Sequence, residues 1–420
     1  MAGPFEGLTI VEFGRFIAVP YCAQLFADGG ADVIKVEPII GDETRRNGQI
    51  IEGEGRQYLN KNRGKRSLAV DLNDEAARDA VKALVHRADI VLANFRPGLA
   101  EGFGLDYDSV AAVNPRVIYA ENTGYGHAGP LADAPGIDIT LQAYSGIAQF
   151  HPDDGPIRQP NPLTDYGTAL IMAWGVSTAL YHRERSGRGQ KLDTSLLQAA
   201  LVLQNNHLNH IDAIDSGRSE FAEYLKTAFA DGASWSDVLE ARAEAQAAVP
   251  MNAYYGFHRT SDGTIALGGG SVAIRRQIVK LLEIEDRWVT EPGWMPDDAR
   301  AHATAMVEQM STTLAAHTTE HWLAAFRGIG VPVAPVQMTE QVIEDEQVLA
   351  NGYVVRLEHE LLGGYTVTAP PVQFSETALS AENGSPVLGK HTRELLGEAG
   401  LDNAAINALI EAGAAREPSA

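Results

Sequence analysis

The stretch LTIVEFGRFIAVPYCAQLFADGGADVIKVE, residues 8–37, decides the fold of the chain. It starts with a short apolar run at Leu8–Phe13 and continues with a helical pattern at Pro20–Ala27. A pair of glycines breaks that helix, and a second strand-like run follows at Ala31–Glu37. Two short apolar strands separated by a helix indicate a parallel sheet with helices packed on its faces.

The same alternation continues beyond this unit. Strand-like runs lie at Ser67–Asp71, Asp89–Leu92 and Arg116–Glu121, and helical stretches such as Asn73–Val85 separate them. In parallel sheets, ligands bind beyond the carboxyl ends of the strands. The loops expected to bind a ligand are therefore Gly14–Pro20, Pro38–Gly48, Ala93–Gly98 and Asn122–Pro130.

A different pattern begins near Asn205. A strand-turn-strand signal at Tyr254–Arg259 and Thr264–Leu267 is followed by helices, and strand-like pieces return from Gly330 onward. We therefore expect a large domain made of residues 1–200 and 335–420, a linker at 201–224 and a small α+β domain at 225–330.

Composition excludes several function classes. The 420 residues include 55 Asp and Glu against 33 Lys and Arg, a net charge of −22 that repels nucleic acid and anionic membranes. The single cysteine, Cys22, allows no internal disulfide, and no apolar run reaches the roughly 20 residues of a membrane span. No metal-ligand spacing occurs among the histidines. We expect a cytoplasmic protein with no metal, nucleic-acid or membrane partner.

Asp165 is the main candidate for a catalytic group. It stands at the expected start of a long helix, where an aspartate caps the backbone and contributes about 1 kcal/mol. A carboxylate at a helix N-terminus also stays ionised and can attack a thioester carbonyl. The backbone N–H groups of Tyr166 and Gly167 could then stabilise oxyanion charge. The residues alone leave both interpretations open.

A basic segment precedes the strand at residues 67–71. Its sequence KNRGKRS, Lys61–Ser67, is typical of a solvated turn, but in so acidic a chain it also suggests a phosphate site. The candidate phosphate contacts are Arg45, Lys61, Arg63 and Arg66.

The segment ANFRPG, Ala93–Gly98, follows another predicted strand. Asn94 and Phe95 can contact a ligand with an amide and a ring, whereas Pro97 and Gly98 alone would explain a simple turn.

Taken together, these segments resemble the class III CoA-transferase family, whose relatives include formyl-CoA transferase, carnitine CoA-transferase and α-methylacyl-CoA racemase. The matching pieces are GLTIVEFGRFIAVP, LFADGGADVIKVEP with GDETRR, LNKNRGKRSLAVDL, ADIVLANFRPG, NPRVIYAENTGYGHAGP, PGIDITLQAYSG, SGRGQKLDTSLLQAA, GVPVAPV, TAPPVQF and LGKHTRELL. The similarity covers nearly the whole chain and is weakest between about residues 205 and 325.

The resemblance implies a large Rossmann-like domain, a smaller domain and an interlocked homodimer. It implies that Asp165 is the catalytic aspartate, which becomes an anhydride and then an aspartyl-CoA thioester. CoA or acyl-CoA would be a substrate, with no permanently bound cofactor and with a carboxylic acid as co-substrate. The implied CoA contacts are Ala18, Val70, Asp71, Leu72, Asn73, Asn94, Phe95, Arg96, Gly136, Ile137, Asp138 and Ile139.

Departures from the family pattern bear on the reaction. Ile17 stands where formyl-CoA transferase has Gln, and only Gly268–Gly270 could match its active-site glycine loop. We expect Ile17 and Gly167 in the substrate pocket. Ile137 stands where the racemases have a proton-transferring His, which favours CoA transfer over racemisation.

Two alternatives stay open. One is a racemase or isomerase that uses Asp165 as a base. The other is an acyl-CoA-binding protein that has kept the fold without the reaction.

Overall fold

The computed structural model describes residues 3–151, 153, 155–245 and 253–418. Two compact units account for it, the larger formed by Met1–Asn209 with Gln347–Ala420 and the smaller by His210–Glu346. The larger unit therefore uses both ends of the chain. The segment 201–224, expected as a linker, includes helical residues.

The strands, numbered in chain order, are β1 Thr9–Phe13, β2 Asp32–Glu37, β3 Gln49–Ile51, β4 Glu54–Gly55, β5 Arg66–Val70, β6 Ile90–Ala93, β7 Ile118–Thr123, β8 Gln149–His151, β9 Gly155–Ile157, β10 Gln190–Ser195, β11 Tyr255–Arg259, β12 Thr264–Gly268, β13 Val333–Pro335, β14 Val354–His359, β15 Gly363–Thr368 and β16 Ala415–Arg416.

The helices are α1 Ala18–Ala27, α2 Arg56–Leu59, α3 Glu75–Val85, α4 Leu99–Phe103, α5 Tyr107–Val113, α6 Asp138–Ser145, α7 Leu163–Ser186, α8 Leu196–Leu203, α9 Asn205–Leu208, α10 Ser216–Tyr224, α11 Trp235–Ala245, α12 Val272–Leu282, α13 Arg287–Thr290, α14 Ala299–Leu314, α15 Thr319–Gly328, α16 Thr339–Val342, α17 Glu346–Ala350, α18 Thr392–Glu398 and α19 Asn403–Glu411, with a 3-10 turn at Glu43–Arg45.

The larger unit is built on a seven-stranded sheet in the order β10-β7-β6-β1-β2-β5-β16. All neighbouring strands run parallel except β16, which pairs antiparallel with β5. The predicted α/β class with a parallel sheet is confirmed. The sheet grows from β1 toward β2 and β5 on one side and toward β6 and β7 on the other, so the strand order reverses at β1. The loops after β1, β2 and β6 therefore lie at the same edge of the sheet.

Helices cover both faces of this sheet because its strands are apolar on both sides. One core joins Val11, Ile34 and Val91 to helices α3, α18 and α19. The opposite core joins Ile10, Val33 and Ile90 to α1 and α7. Near-continuous burial of this kind is expected of strands in a parallel sheet.

The smaller unit contains an antiparallel sheet in the order β11-β12-β13 with helices α12, α14 and α15 packed against one face. The predicted hairpin at residues 254–267 is confirmed, and it pairs in the register Phe257 with Ala266. Strand β13 belongs to this sheet, so the smaller unit extends beyond the predicted end at residue 330. Within the described residues, no helix is long and apolar enough to cross a membrane.

Candidate active site

A groove of about 560 Å³ opens at the carboxyl ends of the central strands. The loops after β1, β2, β5 and β6 form its walls. Seven of its lining residues were predicted as CoA contacts: Val70, Asp71, Leu72, Asn73, Asn94, Phe95 and Arg96. The structure thus brings these predicted residues together in one concave site.

Asn94 ties the two central loops of the groove together. Its side-chain oxygen accepts the Arg15 backbone N–H at 3.0 Å, and its amide donates to the Arg15 carbonyl at 3.1 Å. Beside it, the Phe95 ring packs on Phe13 with centroids 5.0 Å apart. The loop after β1 therefore has a defined position, although Phe16 adopts a positive φ of 64° that non-glycine residues rarely occupy.

Arginines supply the positive charge of this groove. Arg15 and Arg96 line it, and Arg15 also pairs with Glu43. Burial lowers the pKa of Arg15, and the like charges of Arg96 and Arg46 act in the same direction against Asp42. Two guanidinium groups therefore line the groove, with Arg46 within electrostatic range of Arg15, and guanidinium groups are suited to binding phosphate.

The other predicted CoA contacts lie around the start of α6. Ala18 is buried against Leu141 and Leu196, whereas Ile137 and Ile139 are exposed by 54% and 41%. Gly136 is needed for close packing, since a Cβ there would lie 2.7 Å from the Cα of Gly124. Ala18 follows Arg15 by three residues, so the α6 region lies next to the groove, within about 11 Å along the chain.

Asp165 lies in the first turn of α7, but it is not the cap that the sequence suggests. The helix begins at Leu163 with Pro162 at the N-cap position, and Asp165 is its third residue. Asp138 of α6 supplies the capping oxygen, which accepts the Thr164 N–H at 3.0 Å. The N-cap interpretation of Asp165 is therefore wrong, because another helix performs that task.

The predicted oxyanion donors are also engaged elsewhere. The Tyr166 N–H donates to the Pro162 carbonyl at 3.1 Å, and the Gly167 N–H points along the helix toward Leu163. A Cβ at Gly167 would lie 3.0 Å from Leu203 of α8. Gly167 thus allows two helices to pack closely, and its backbone does not offer a free donor.

The surroundings of Asp165 favour a protonated carboxyl more than the sequence suggests. Burial and the negative charge of Asp138 raise the pKa of Asp165 to about 7, whereas the nearby Lys61 ammonium lowers it. The expectation of a fully ionised carboxylate is therefore corrected, because the raised pKa brings the protonated form into the neutral pH range. A carboxylate of this basicity is a stronger nucleophile and base than an ordinary aspartate.

Lys61 lies within electrostatic range of this carboxyl, and it does not line the groove. Its ammonium is buried and donates to the Gln57 carbonyl at 3.0 Å and to the Asn60 side chain at 2.8 Å. Burial lowers its pKa to about 8, with the charges of Asp42 and Asp165 opposing that shift. Lys61 can therefore carry a positive charge within the electrostatic range of Asp165.

Arg45 is a structural residue of the interior. It is fully buried, and it donates to Glu37 at 2.8 Å and to Glu54 at 2.9 Å while stacking on the Tyr58 ring at 3.5 Å. A ligand phosphate cannot reach a guanidinium whose donors are already used in this way. The prediction of a phosphate contact at Arg45 is corrected for that reason.

Arg63 and Arg66 are also committed to carboxylates. Arg63 is buried against Asp28, with bonds of 2.8 and 2.7 Å. Arg66 is partly exposed and pairs with Asp32 on β2 and with Glu398 on α18. These pairs join segments of the larger unit, and neither arginine lines the groove. The sequence correctly indicates a basic segment, but Arg63 and Arg66 form ion pairs within the fold instead of lining the predicted phosphate site.

Residues missed by sequence reasoning include Arg15 and the capping role of Asp138. Arg15 lies in the predicted ligand-binding loop Gly14–Pro20, but no basic cluster surrounds it in the sequence.

A group of Glu121, His127 and Asp193 also gathers potential metal ligands. The Lys191 ammonium lies 2.8 Å from Glu121 and 3.2 Å from Asp193, so Lys191 already neutralises part of the negative charge of this group.

The comparison with family models decides the classification. The model described as CoA-transferase family III matches residues 5–392. The chain belongs to CoA-transferase family III. It is a class III CoA-transferase that acts on CoA thioesters.

Curated relatives of the family agree. The chain is 31% identical to succinyl-CoA:glutarate CoA-transferase of Homo sapiens, over 98% of this chain and 89% of the relative. It is 33% identical to succinate–glutarate CoA-transferase of Agrobacterium fabrum, over 94% of this chain and 95% of the relative. A CAIB/BAIF family protein from Brucella suis has a similar solved structure, with a TM-score of 0.74, 30% identity, and coverage of 95% of this chain and 100% of the other.

Proposed function

We propose that this CoA-transferase moves CoA from an acyl-CoA to a free carboxylic acid through covalent intermediates on Asp165. The carboxylate attacks the thioester carbonyl, which forms an anhydride and releases CoA thiolate. The thiolate attacks the aspartyl carbonyl, which forms an aspartyl-CoA thioester and releases the donor acid. The acceptor carboxylate then attacks this thioester, which forms a second anhydride and releases CoA thiolate again. The thiolate attacks the acceptor acyl carbonyl of that anhydride, which forms the new acyl-CoA and releases the Asp165 carboxylate.

The electrostatic surroundings of Asp165 carry this proposal. Its pKa near 7 makes the ionised form basic enough to be a good nucleophile and still populated at neutral pH. Lys61 supports it by stabilising that ionised form. A racemase that uses Asp165 as base receives no comparable support, because Ile137 offers no second proton-transfer group.

The groove at the strand ends is the proposed CoA site. Arg15 and Arg96 would bind phosphates, while Phe95 and Leu72 provide apolar surface for the rest of the molecule. The loop at residues 14–17 connects this groove to the start of α1, and Ile17 lies partly exposed there. We therefore place the thioester near Ile17 and Asp165.

Short dicarboxylic acids are the proposed substrates. Three relatives at 31–33% identity carry names with succinate or succinyl-CoA, glutarate and malate. The Lys61 ammonium lies within electrostatic range of Asp165, and its positive charge would favour the approach of a second carboxylate to the nucleophile.

A homodimer is also proposed, as the family resemblance implies. Leu170, Trp174 and Tyr181 lie along one face of α7 and are exposed by 51%, 72% and 67% in the single chain. Apolar stripes of this size commonly mark protein interfaces. Light scattering should give twice the chain mass of 45.1 kDa. A cytoplasmic location stays a prediction.

Trapping of the acylated enzyme tests the mechanism. Protein mixed with succinyl-CoA is treated with hydroxylamine and digested, and mass spectrometry should find a hydroxamate on Asp165. Asp165→Asn should abolish both the label and the transfer of CoA to glutarate. Asp108→Asn, an exposed acidic residue in the first turn of α5, is the matched control and should keep both. Full activity of Asp165→Ala would disprove the proposal.

A further inference from the structure

The start of α6 and the start of α7 are joined through one carboxylate. Asp138 is the first residue of α6, and its Oδ1 accepts from both the backbone N–H of Thr164 at 3.0 Å and the Thr164 hydroxyl at 2.7 Å. Thr164 immediately precedes Asp165. A first helical turn has N–H groups without partners in the helix, and this contact supplies one.

A buried amide holds the same carboxylate from the other side. Gln142 is fully buried, and its Nε2 donates to Asp138 Oδ2 at 2.6 Å. Its remaining bonds go to the backbone of Gln159, with Gln159 N–H donating to Oε1 at 2.9 Å. Asp138 therefore cannot rotate without breaking its bonds to Thr164 of α7 and to Gln142 of its own helix.

We propose that Asp138 is a positioning residue for CoA transfer, holding the first turn of α7 so that the Asp165 carboxylate points at the thioester. This inference deepens the proposed function and rests on it. It differs from the role implied by the family resemblance, because both oxygens of Asp138 are used within the protein and are not directed to CoA. In the proposed reaction Asp165 forms the covalent bonds, and Asp138 forms none.

The charges around Asp165 give this arrangement a second consequence. Asp138 faces it from α6, Lys61 from the segment after α2, and Tyr166 and Tyr21 form an edge-to-face pair at its side. The negative charge of Asp138 keeps Asp165 more basic, and Lys61 opposes it. Loss of either charge should therefore move the pH dependence of acylation, in opposite directions.

Single-turnover acylation by succinyl-CoA, followed across pH by hydroxylamine trapping, separates these effects. Asp138→Ala should slow acylation by about 10- to 100-fold, as small misplacements of a reacting group do, while the KM for the acyl-CoA changes less than about twofold. Asp138→Asn keeps an oxygen acceptor and removes the charge, so the acidic limb should move to lower pH. Lys61→Met should move that limb to higher pH.

Thr164→Val is the matched control, because it removes one hydrogen bond and leaves the charge of Asp138 in place. Its acidic limb should stay at the wild-type pH. A wild-type acylation rate in Asp138→Ala, an unmoved limb in Asp138→Asn, or a rise in KM as large as the fall in rate would overturn the proposal. If Asp138→Ala does not fold, the limb of Asp138→Asn decides. Wild-type protein that forms no hydroxamate would instead disprove the proposed function.

Discussion

Glu37 and Asp165 are two carboxyl groups of the same unit whose surroundings shift their pKa values in opposite directions. Burial alone would raise the pKa of Glu37, but the Arg45 charge outweighs it and lowers that pKa to about 2. Burial also raises the pKa of Asp165, and there the larger of the two charge effects, that of Asp138, adds to the shift and brings the pKa to about 7. The interior pairs its charges, whereas the candidate site keeps a carboxylate beside another carboxylate.

The difference separates a structural charge from a reactive one. Glu37 accepts hydrogen bonds from Arg45, Tyr58 and Ser67, so its ionised form is the stable one. The ionised form of Asp165 is destabilised by its surroundings. When its carboxylate oxygen bonds to the thioester carbonyl carbon, this unfavourable negative charge is removed from the carboxylate, which favours the reaction. Perturbed carboxyls of this second kind concentrate at functional sites.

The largest expected effect comes from breaking the interior pair. Arg45→Met leaves Glu37 and Glu54 buried without their counter-charge, which should lower the free energy of unfolding by about 3–5 kcal/mol. Urea unfolding followed by circular dichroism measures this loss. Arg56→Ala, at an exposed arginine on the same unit, should change stability by less than about 0.5 kcal/mol. Equal losses in the two variants would contradict the distinction.

The candidate site should show the opposite response to charge removal. Asp165→Asn should raise the free energy of unfolding at pH 8 by about 2–4 kcal/mol while it abolishes transfer. The folded-state pKa of about 7 lies above the reference value of 3.8, so the anion destabilises the fold above that range. The gain should therefore shrink as the pH falls from about 7 toward 4.

Urea titrations at pH 8 and pH 5 measure this difference. A stability gain that is the same at both pH values, or a loss at pH 8, would show that the Asp165 carboxylate is paired like Glu37.

The smallest of the three effects concerns binding alone. Arg96→Ala should raise the KM for acyl-CoA by about tenfold, since a charge-assisted bond to phosphate contributes about 1–2 kcal/mol. The side chain is exposed, so the free energy of unfolding should stay within about 0.5 kcal/mol of wild type. Steady-state kinetics at saturating acceptor acid measures KM and kcat separately. An unchanged KM would remove Arg96 from the CoA site.

The sequence anticipates the fold well where local patterns suffice. The strands at residues 8–13 and 31–37 were predicted within one residue of β1 and β2, because short apolar runs between helices indicate buried parallel strands. It also places Asn94 and Phe95 at a strand end, where they line the groove. A residue that directly follows a predicted strand must lie near the end of that strand, so this position can be predicted from the order of residues alone.

The predictions failed where a side chain meets a distant partner. Arg45 binds Glu37 and the carbonyl of Pro386, the latter separated from it by 341 residues. Asp138 caps a helix that starts 25 residues later, so Asp165 was mistaken for the cap. No local periodicity encodes pairings of this kind.

The sequence by itself determined the α/β class, the family and the candidate nucleophile Asp165, because each depends on ordered motifs along the chain. Only the tertiary structure decided which cations face the groove and what charge environment surrounds that nucleophile. The physical reason is that burial and long-range ion pairing set the electrostatics of a site. Both arise only when segments such as 61–66, 138–142 and 163–165 are packed together.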